Sequence, residues 1–250
     1  MRQPLVSIIT VCYNAKDTIE TTINSVRNQI YENIEYIVVD GASTDGTKEI
    51  IEQNRDAISK FISEPDKGLY FAMNKGLDIA TGEYVWFLNA GDRIPHSNTL
   101  FKIMNSSYIL QDIYYGQTKI IDKQGNTISD RRLSPPHYLN KDAFKWGMVV
   151  CHQAAIIKRS ITRHYDTRYK FSADYDWLLS AIERGDNTLM RHSSRTYCKY
   201  LQGGLSQKNM NQSNKERYRI MIRHYGFFTA TYYNFLMAFR FIKSKIKGEL

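Results

Sequence analysis

Tyr36-Ile37-Val38-Val39 is an unbroken apolar run between polar neighbours, and it constrains the fold more than any other feature of the chain. A strand with one wet face alternates apolar and polar residues. A strand apolar at every position is buried on both faces, as in a parallel sheet covered by helices. Leu5-Val6-Ser7-Ile8-Ile9-Thr10-Val11-Cys12 is a second buried strand, rich in β-branched residues. Between the two, Asp17 with Glu20 three residues later predicts a capping box. Ile19, Ile23, Val26 and Ile30 then share one helical face.

The alternation continues. Gly41–Gly46 predicts a turn into a second helix ending near Gln53. Lys60–Ile62 is a short strand, Gly68–Ala80 has helical spacing, and Glu83–Leu88 is the next strand after the Thr81-Gly82 stop. Strands alternating with helices over the first 90 residues or so predict a doubly wound α/β layer, in which ligands bind beyond the carboxyl ends of the strands. The polar residues gather at those ends: Tyr13-Asn14, Asp40, and Asn89-Ala90-Gly91-Asp92. Further on, strands are expected at Ile113–Asp122 and His152–Ile157, irregular chain over 130–148, a helix over Asp174–Arg184, and one or two strands in 187–199. The 250 residues suit one generous α/β domain, or a domain with an appendage.

Charge locates the appendage. Of the net +9, residues 208–250 carry +7, with nine basic residues against Glu216 and Glu249. Nine aromatic residues lie between Tyr218 and Phe241, and Tyr225-Gly226 is expected to divide the segment into two helices. The composition shift near Gly203-Gly204 sets a boundary between a body, 1–207, and a basic aromatic tail, 208–250. Such a tail either packs on the body or lies in an anionic membrane surface, its aromatics at headgroup level. The body offers no nucleic-acid-binding motif, so nucleic acid is not an expected partner. Cys12, Cys151 and Cys198 lack metal-ligand spacing and are read as buried thiols. Neither a membrane-spanning run nor a signal peptide is expected, which places the chain in the cytoplasm.

Several segments together resemble one family. Ser7–Asn14 is similar to the opening strand of the family 2 glycosyltransferases, whose fold is GT-A, and Val38–Thr47 is similar to their second strand and turn. Ser63–Gly68 and Ala72–Gly76 resemble the helix before the metal motif, and Phe87–Asp92 sits where the family's metal motif sits. His152-Gln153-Ala154, Ser172–Asp176 and Gly203-Gly204-Leu205-Ser206 complete the pattern, which is most like the bacterial exopolysaccharide branch of the colanic-acid type. The resemblance covers residues 4–206, in order. It divides the body into a nucleotide-sugar half, about 1–95, and an acceptor half, about 96–207.

The resemblance implies an inverting transfer of sugar from a UDP- or GDP-sugar to a saccharide, lipid-linked or free, in cell-surface polysaccharide synthesis. The enzyme would work on the inner face of the cytoplasmic membrane. Asp92 would bind Mn2+ or Mg2+, a hard carboxylate suiting a hard cation. The family commonly shows Asp-x-Asp-Asp there, against Asn-Ala-Gly-Asp in this chain. Asp174 would be the general base, a position that also favours a helix cap. Thr10, Val11, Tyr13, Asn14, Asp40, Asp66, Lys67, Asn74, Lys75, Asn89, Ala90 and Gly91 would contact the nucleotide sugar. Gly41 stands where the family often has a uracil-reading Asp, which leaves guanosine open. His152, Gln153 and Asp176 would face the acceptor or donor sugar, although His152 beside Val149-Val150 is equally read as a core residue. Gly203–Ser206 is expected to order over bound donor. Two alternatives stand beside this reading: a non-catalytic nucleotide-sugar-binding or membrane scaffold with a degenerate metal motif, and a sugar-nucleotide pyrophosphorylase, which lacks support because Tyr13–Lys16 replaces the expected Gly-rich phosphate loop.

Overall fold

The computed structural model describes residues 3–204 and 209–246, the last six as helical backbone only. The chain order is β1 (Val6–Cys12), α1 (Ile19–Arg27), β2 (Ile34–Asp40), α2 (Thr47–Gln53), β3 (Lys60–Ser63), α3 (Leu69–Ile79), β4 (Tyr84–Phe87) and α4 (Thr99–Met104). It continues with β5 (Ile113–Ile121), β6 (Thr127–Asp130), β7 (Ala155–Lys158), α5 (Ala173–Arg184), β8 (Met190–Leu201), α6 (Met210–Tyr225) and α7 (Phe227–Ile246). One mixed sheet runs in the order β3-β2-β1-β4-β7-β5-β6, and β8 adds to β5. β1 pairs in parallel with β2 and β4, and β2 with β3. β7 lies antiparallel between β4 and β5, whereas β5 and β8 run parallel.

Burial on both faces is what the apolar runs require. Ile9, Val11, Ile37, Val39 and Phe87 face one core layer with α3, α5 and α6. Ile8, Tyr36, Val38 and Trp86 face the other with α1, α2 and α4. All three cysteines are free and buried.

Four sequence expectations are corrected. The capping box does not form: Thr18 occupies the cap without a side-chain bond to the helix N–H groups, and the Ala15 carbonyl instead accepts from the Thr18 hydroxyl and the Thr18 and Ile19 N–H groups. Ile30 lies past the helix end and is exposed. His152–Ala154 is a 3-10 turn, with the strand starting at Ala155. Lys141–Trp146, within the stretch expected to be irregular, forms a 3-10 helix. Residues 190–201 make a single strand.

The helices after residue 208 break at Gly226 as the sequence suggests, but the first of them is not an appendage. Ile220, Met221 and Ala230 are buried in the same core as β1 and α5. Among the described residues, no helix is long and apolar enough to cross a membrane.

Candidate active site

The carboxyl ends of β1, β2 and β4 form one rim. Backbone bonds tie the following turns together: Gly41 N–H donates to the Cys12 carbonyl (2.9 Å), and Ala90 N–H to that of Val11 (3.2 Å). Asn14 (φ 47°) and Ala42 (φ 60°) occupy the left-handed region. The Asn14 amide oxygen accepts from Thr44 N–H (3.0 Å), and its own N–H donates to Ser43 Oγ (2.8 Å), so the two turns brace each other. Asp40 lies inside this brace and is fully buried. It accepts from the Ser43 N–H and hydroxyl, and from Ser63 Oγ at 2.7 Å. Thr10 is likewise buried, its hydroxyl donating to the Leu88 carbonyl (2.7 Å), and Val11 is core. The side chains of Asp40, Thr10 and Val11 build the rim and do not face outward from it, whereas Asn14 is exposed.

The outward-facing group is Tyr13, 67% exposed. Its ring leans over Gly41, where a Cβ would come within 3.3 Å of Tyr13 Cδ2 and 3.6 Å of Asp66 Oδ2. Tyr13, the Gly41 backbone and Asp66 therefore meet. The Asp66 side chain is only 8% exposed, and Lys75 Nζ approaches its Oδ1 at 2.5 Å. Asp66 Oδ2 has no hydrogen-bond partner among the described residues. A buried carboxylate oxygen left bare is costly, which suits it to a ligand N–H. Lys75 also pairs with Glu64 at 2.7 Å, and these acids raise its pKa against the opposing effect of burial. Lys67 is exposed. Asn74 is not free for ligand: its amide spans the backbone N–H and carbonyl of Tyr165 (2.7 and 3.0 Å).

Asp92 and Asp174, far apart in sequence, are joined through two adjacent side chains. Gln153 Nε2 donates to Asp92 Oδ2 (3.1 Å), and His152 Nδ1 meets Asp174 Oδ2 (3.2 Å). Gln153 is itself fixed, its carbonyl accepting from the Trp86 indole (2.8 Å) and its amide oxygen from the Cys151 thiol (2.7 Å). Asp92 is 3% exposed, and its Oδ1 accepts from the Leu201 N–H (2.9 Å) at the end of β8. Burial among neutral donors pushes its pKa up to about 7. Leu201 also packs on Gly91, whose φ of 98° and lack of Cβ allow the approach.

Asp174 sits in the first turn of α5, where the helix dipole favours an anion. Its Oδ1 accepts from the Tyr70 hydroxyl (3.2 Å) and the Tyr175 N–H (2.9 Å). Burial alone would raise its pKa, but His152, then Arg217 and the Tyr175 N–H, outweigh it and hold the carboxyl below its usual range.

The donor set bears on a cation. Among the described residues, no group of three or more His, Cys, Asp or Glu could hold a metal ion. Asn89 Oδ1, on the same turn as Asp92, is buried without a partner among the described residues. One carboxylate and one bare amide oxygen fit a hydrated hard cation whose remaining ligands are phosphate oxygens and water.

Asp176 is not brought to this pair. It is fully buried on the other side of α5, held by Arg163 (2.5 Å) and His224 (2.8 Å). Leu205 and Ser206 lie outside the described residues. Three participants were not singled out from the sequence. Tyr70 and Tyr165 stack near Asp174 (ring centroids 5.4 Å apart). Glu216 accepts from three successive backbone N–H groups, those of Lys170, Phe171 and Ser172 (2.8–3.0 Å), just ahead of Asp174. An acid inside a run of nine bases was the signal for Glu216. The exposed side of α7 carries Phe228, Tyr232, Phe235 and Phe239, spaced as one helical stripe.

Comparison with known proteins shows the family and the fold. Residues 7–166 match the sequence profile of glycosyl transferase family 2. The chain is 28% identical over 211 residues to the Escherichia coli UDP-Glc:alpha-D-GlcNAc-diphosphoundecaprenol beta-1,3-glucosyltransferase WfaP, covering 83% of this chain and 82% of that one. The structure of S. aureus TarS 1–349 with UDP-GlcNAc superposes with a TM-score of 0.64 at 17% identity, covering 88% of this chain and 67% of that one. The Pyrobaculum calidifontis mannosyltransferase with GDP-Man and Mn2+ gives 0.60 at 17% identity, over 89% and 65%. The chain thus spans about two thirds of each of these two solved structures. The fold is the GT-A fold that the sequence resemblance implied.

Proposed function

The chain belongs to glycosyl transferase family 2 and is a glycosyltransferase, and from that premise we propose that it moves a sugar from a UDP- or GDP-sugar to a lipid-linked or free saccharide with inversion. The observation that carries the reading is the bridge from Asp92 through Gln153 and His152 to Asp174. It links a cation-capable carboxylate beyond the end of β4 to a proton-accepting pair at the start of α5. Membership in a family of enzymes sets the scaffold and pyrophosphorylase alternatives aside.

Tyr13 offers a face to the base, and the bare Asp66 oxygen accepts a ring N–H, which uracil and guanine both present. Lys75 holds Asp66 in place for that contact. Asn89 and Asp92 would hold Mn2+ or Mg2+, which when bound neutralises charge on the leaving diphosphate. The acceptor hydroxyl attacks the sugar carbon, the diphosphate departs with the bonding pair, and the Asp174–His152 pair takes the proton. The solved neighbours were crystallised with UDP-GlcNAc or with GDP-Man and Mn2+, and the named relative acts on a diphosphoundecaprenol-linked sugar. Those facts support the donor class, the ion and a lipid-linked acceptor for this chain.

The aromatic stripe of α7 supports attachment to the inner face of the cytoplasmic membrane. Beside it, Arg240 lies over the Trp146 ring (4.2 Å), and Lys145 lies within 5.7 Å of the Tyr225 and Tyr233 ring centres. These stacked cations border the stripe where anionic headgroups would sit.

Thermal unfolding with UDP or GDP, each with and without Mn2+, tests the donor site. One nucleotide at about 100 times its Kd should add roughly 2.7 kcal/mol. The gain should need Mn2+ and vanish in Asp92→Ala. A folded protein that responds to neither nucleotide overturns the reading.

A further inference from the structure

We propose that a cleft at the far end of α5 from Asp174 binds an uncharged stretch of saccharide chain. This rests on the transfer to a saccharide proposed above, and it adds a site for sugar units remote from the reacting one.

The cleft has a volume of about 850 Å³ and lies between the 137–140 loop, the 187–188 turn and the start of β8. Asp174 stands in the first turn of the 12-residue α5, and Asn187 follows its last, a span of about 18 Å. Across the sheet the cleft is nearer to the catalytic turn. His192 pairs in register with Tyr115, and Tyr115 with Ala155, the residue after His152-Gln153-Ala154. Two strand spacings, about 10 Å, separate His192 from Ala155. The reacting sugar cannot occupy both places, whereas a chain of several sugars can span the distance.

The lining decides what the cleft can hold. Arg191 is the single Lys, Arg, Asp or Glu in it, in a chain of which 24% is charged. So little charge offers poor purchase to a metal ion or a phosphate. The cleft presents instead the amides of Asn140 and Asn187 and the hydroxyls of Ser193 and Ser194. Tyr138, also in the lining, is 87% exposed and keeps its ring open. Neutral hydrogen-bonding groups beside an aromatic ring match a sugar, whose hydroxyls donate and accept and whose C–H face packs on a ring.

His192 supplies a second, independent observation. Its Nε2 is buried with no hydrogen-bond partner among the described residues. Burial and the neighbouring His137, with ring centroids 4.7 Å apart, lower its pKa, so the ring is neutral at pH 7. A buried ring nitrogen left bare is costly unless a ligand meets it. A sugar hydroxyl meets it in either tautomer, because it both donates and accepts. The walls are already braced. Tyr115 packs against His192 (5.4 Å), and its hydroxyl donates to the Pro136 and His137 carbonyls, each at 3.0 Å. Asp186 accepts from the Thr188 N–H (2.8 Å) and hydroxyl (2.7 Å). Walls fixed in advance reduce the ordering cost of binding.

Saturation-transfer NMR and calorimetry on the full chain test the cleft, with maltohexaose, cellohexaose and chitohexaose as probes. At least one should bind, and more tightly than its own monosaccharide. Tyr138→Ala should weaken that binding about tenfold and Asn187→Ala about fivefold, the worth of one aromatic contact and one hydrogen bond. Both residues are exposed, so both variants should stay folded and keep the wild-type thermal response to nucleotide. Saturating nucleotide with Mn2+ should leave the hexaose bound. Failure of all three hexaoses to bind, binding indifferent to both substitutions, or displacement by nucleotide would each overturn the proposal. The two readings fail separately. Hexaose binding without any nucleotide response upholds the cleft and sinks the donor reading, and a nucleotide response without hexaose binding does the reverse.

Discussion

At Asp92 the protein keeps a carboxyl group almost entirely out of water with only neutral donors on it. Burial favours the protonated form, so the group's contribution to stability is fullest below the ordinary carboxylate pKa. It declines as pH rises from about 4 and is lost once pH passes about 7. The melting temperature of cation-free protein should therefore fall between pH 5 and 8 by several degrees, corresponding to about 1–3 kcal/mol. Asp92→Asn should flatten that slope. An equal slope in the variant would place the titration elsewhere. The residue's position was legible from the motif at the end of β4. Its burial was not, because the covering N–H belongs to Leu201, 109 residues away. Asp40 and Thr10 show the same limit. Polar residues at strand ends mark the rim in sequence, but only their partners tell which ones build it and which face out.

Among the elements, β1 and β2 were readable because two-sided burial leaves an uninterrupted apolar run. The start of α1 was misread because a backbone carbonyl, that of Ala15, does what the Asp17–Glu20 pair was expected to do. The turn at His152 was read as strand because its apolar neighbours obscure a three-residue 3-10 segment. The role of α6 lies in tertiary contacts alone. Its Glu216 satisfies three backbone N–H groups ahead of α5, and Ser213 meets Ser172 (2.8 Å) in the same loop. Glu216→Ala should cost about 2–4 kcal/mol in urea unfolding, since it strands one buried and two partly buried backbone donors at once. It should also lower turnover without weakening nucleotide binding, because the loop it holds leads to Asp174 and not to Tyr13. A loss below about 0.5 kcal/mol would mean that water replaces the carboxylate.

For the molecule as a whole, the charge count correctly marked residues 208–250 as distinct in composition but not as separable in structure. Deleting them would remove Ile220, Met221 and Ala230 from the core, so truncation confounds any test of membrane attachment. Replacing Phe228, Tyr232, Phe235 and Phe239 with Ser avoids this, because each is exposed and exposed positions seldom shift stability by more than about 0.5 kcal/mol. The variant should remain folded and lose binding to anionic vesicles in sedimentation. Wild-type binding should weaken with salt, as screening shortens to about 8 Å at physiological ionic strength. Undiminished binding by the variant would assign the stripe some other role.

The bond network at Glu216 also has a consequence in time. A chain emerging from the ribosome presents the strands β1 to β4 first. The loop ahead of Asp174 still lacks acceptors for three of its N–H groups until residue 216 has been made and its helix has docked. The surroundings of Asp174 are thus completed late in synthesis, by the same helix pair that carries the exposed aromatic stripe of α7.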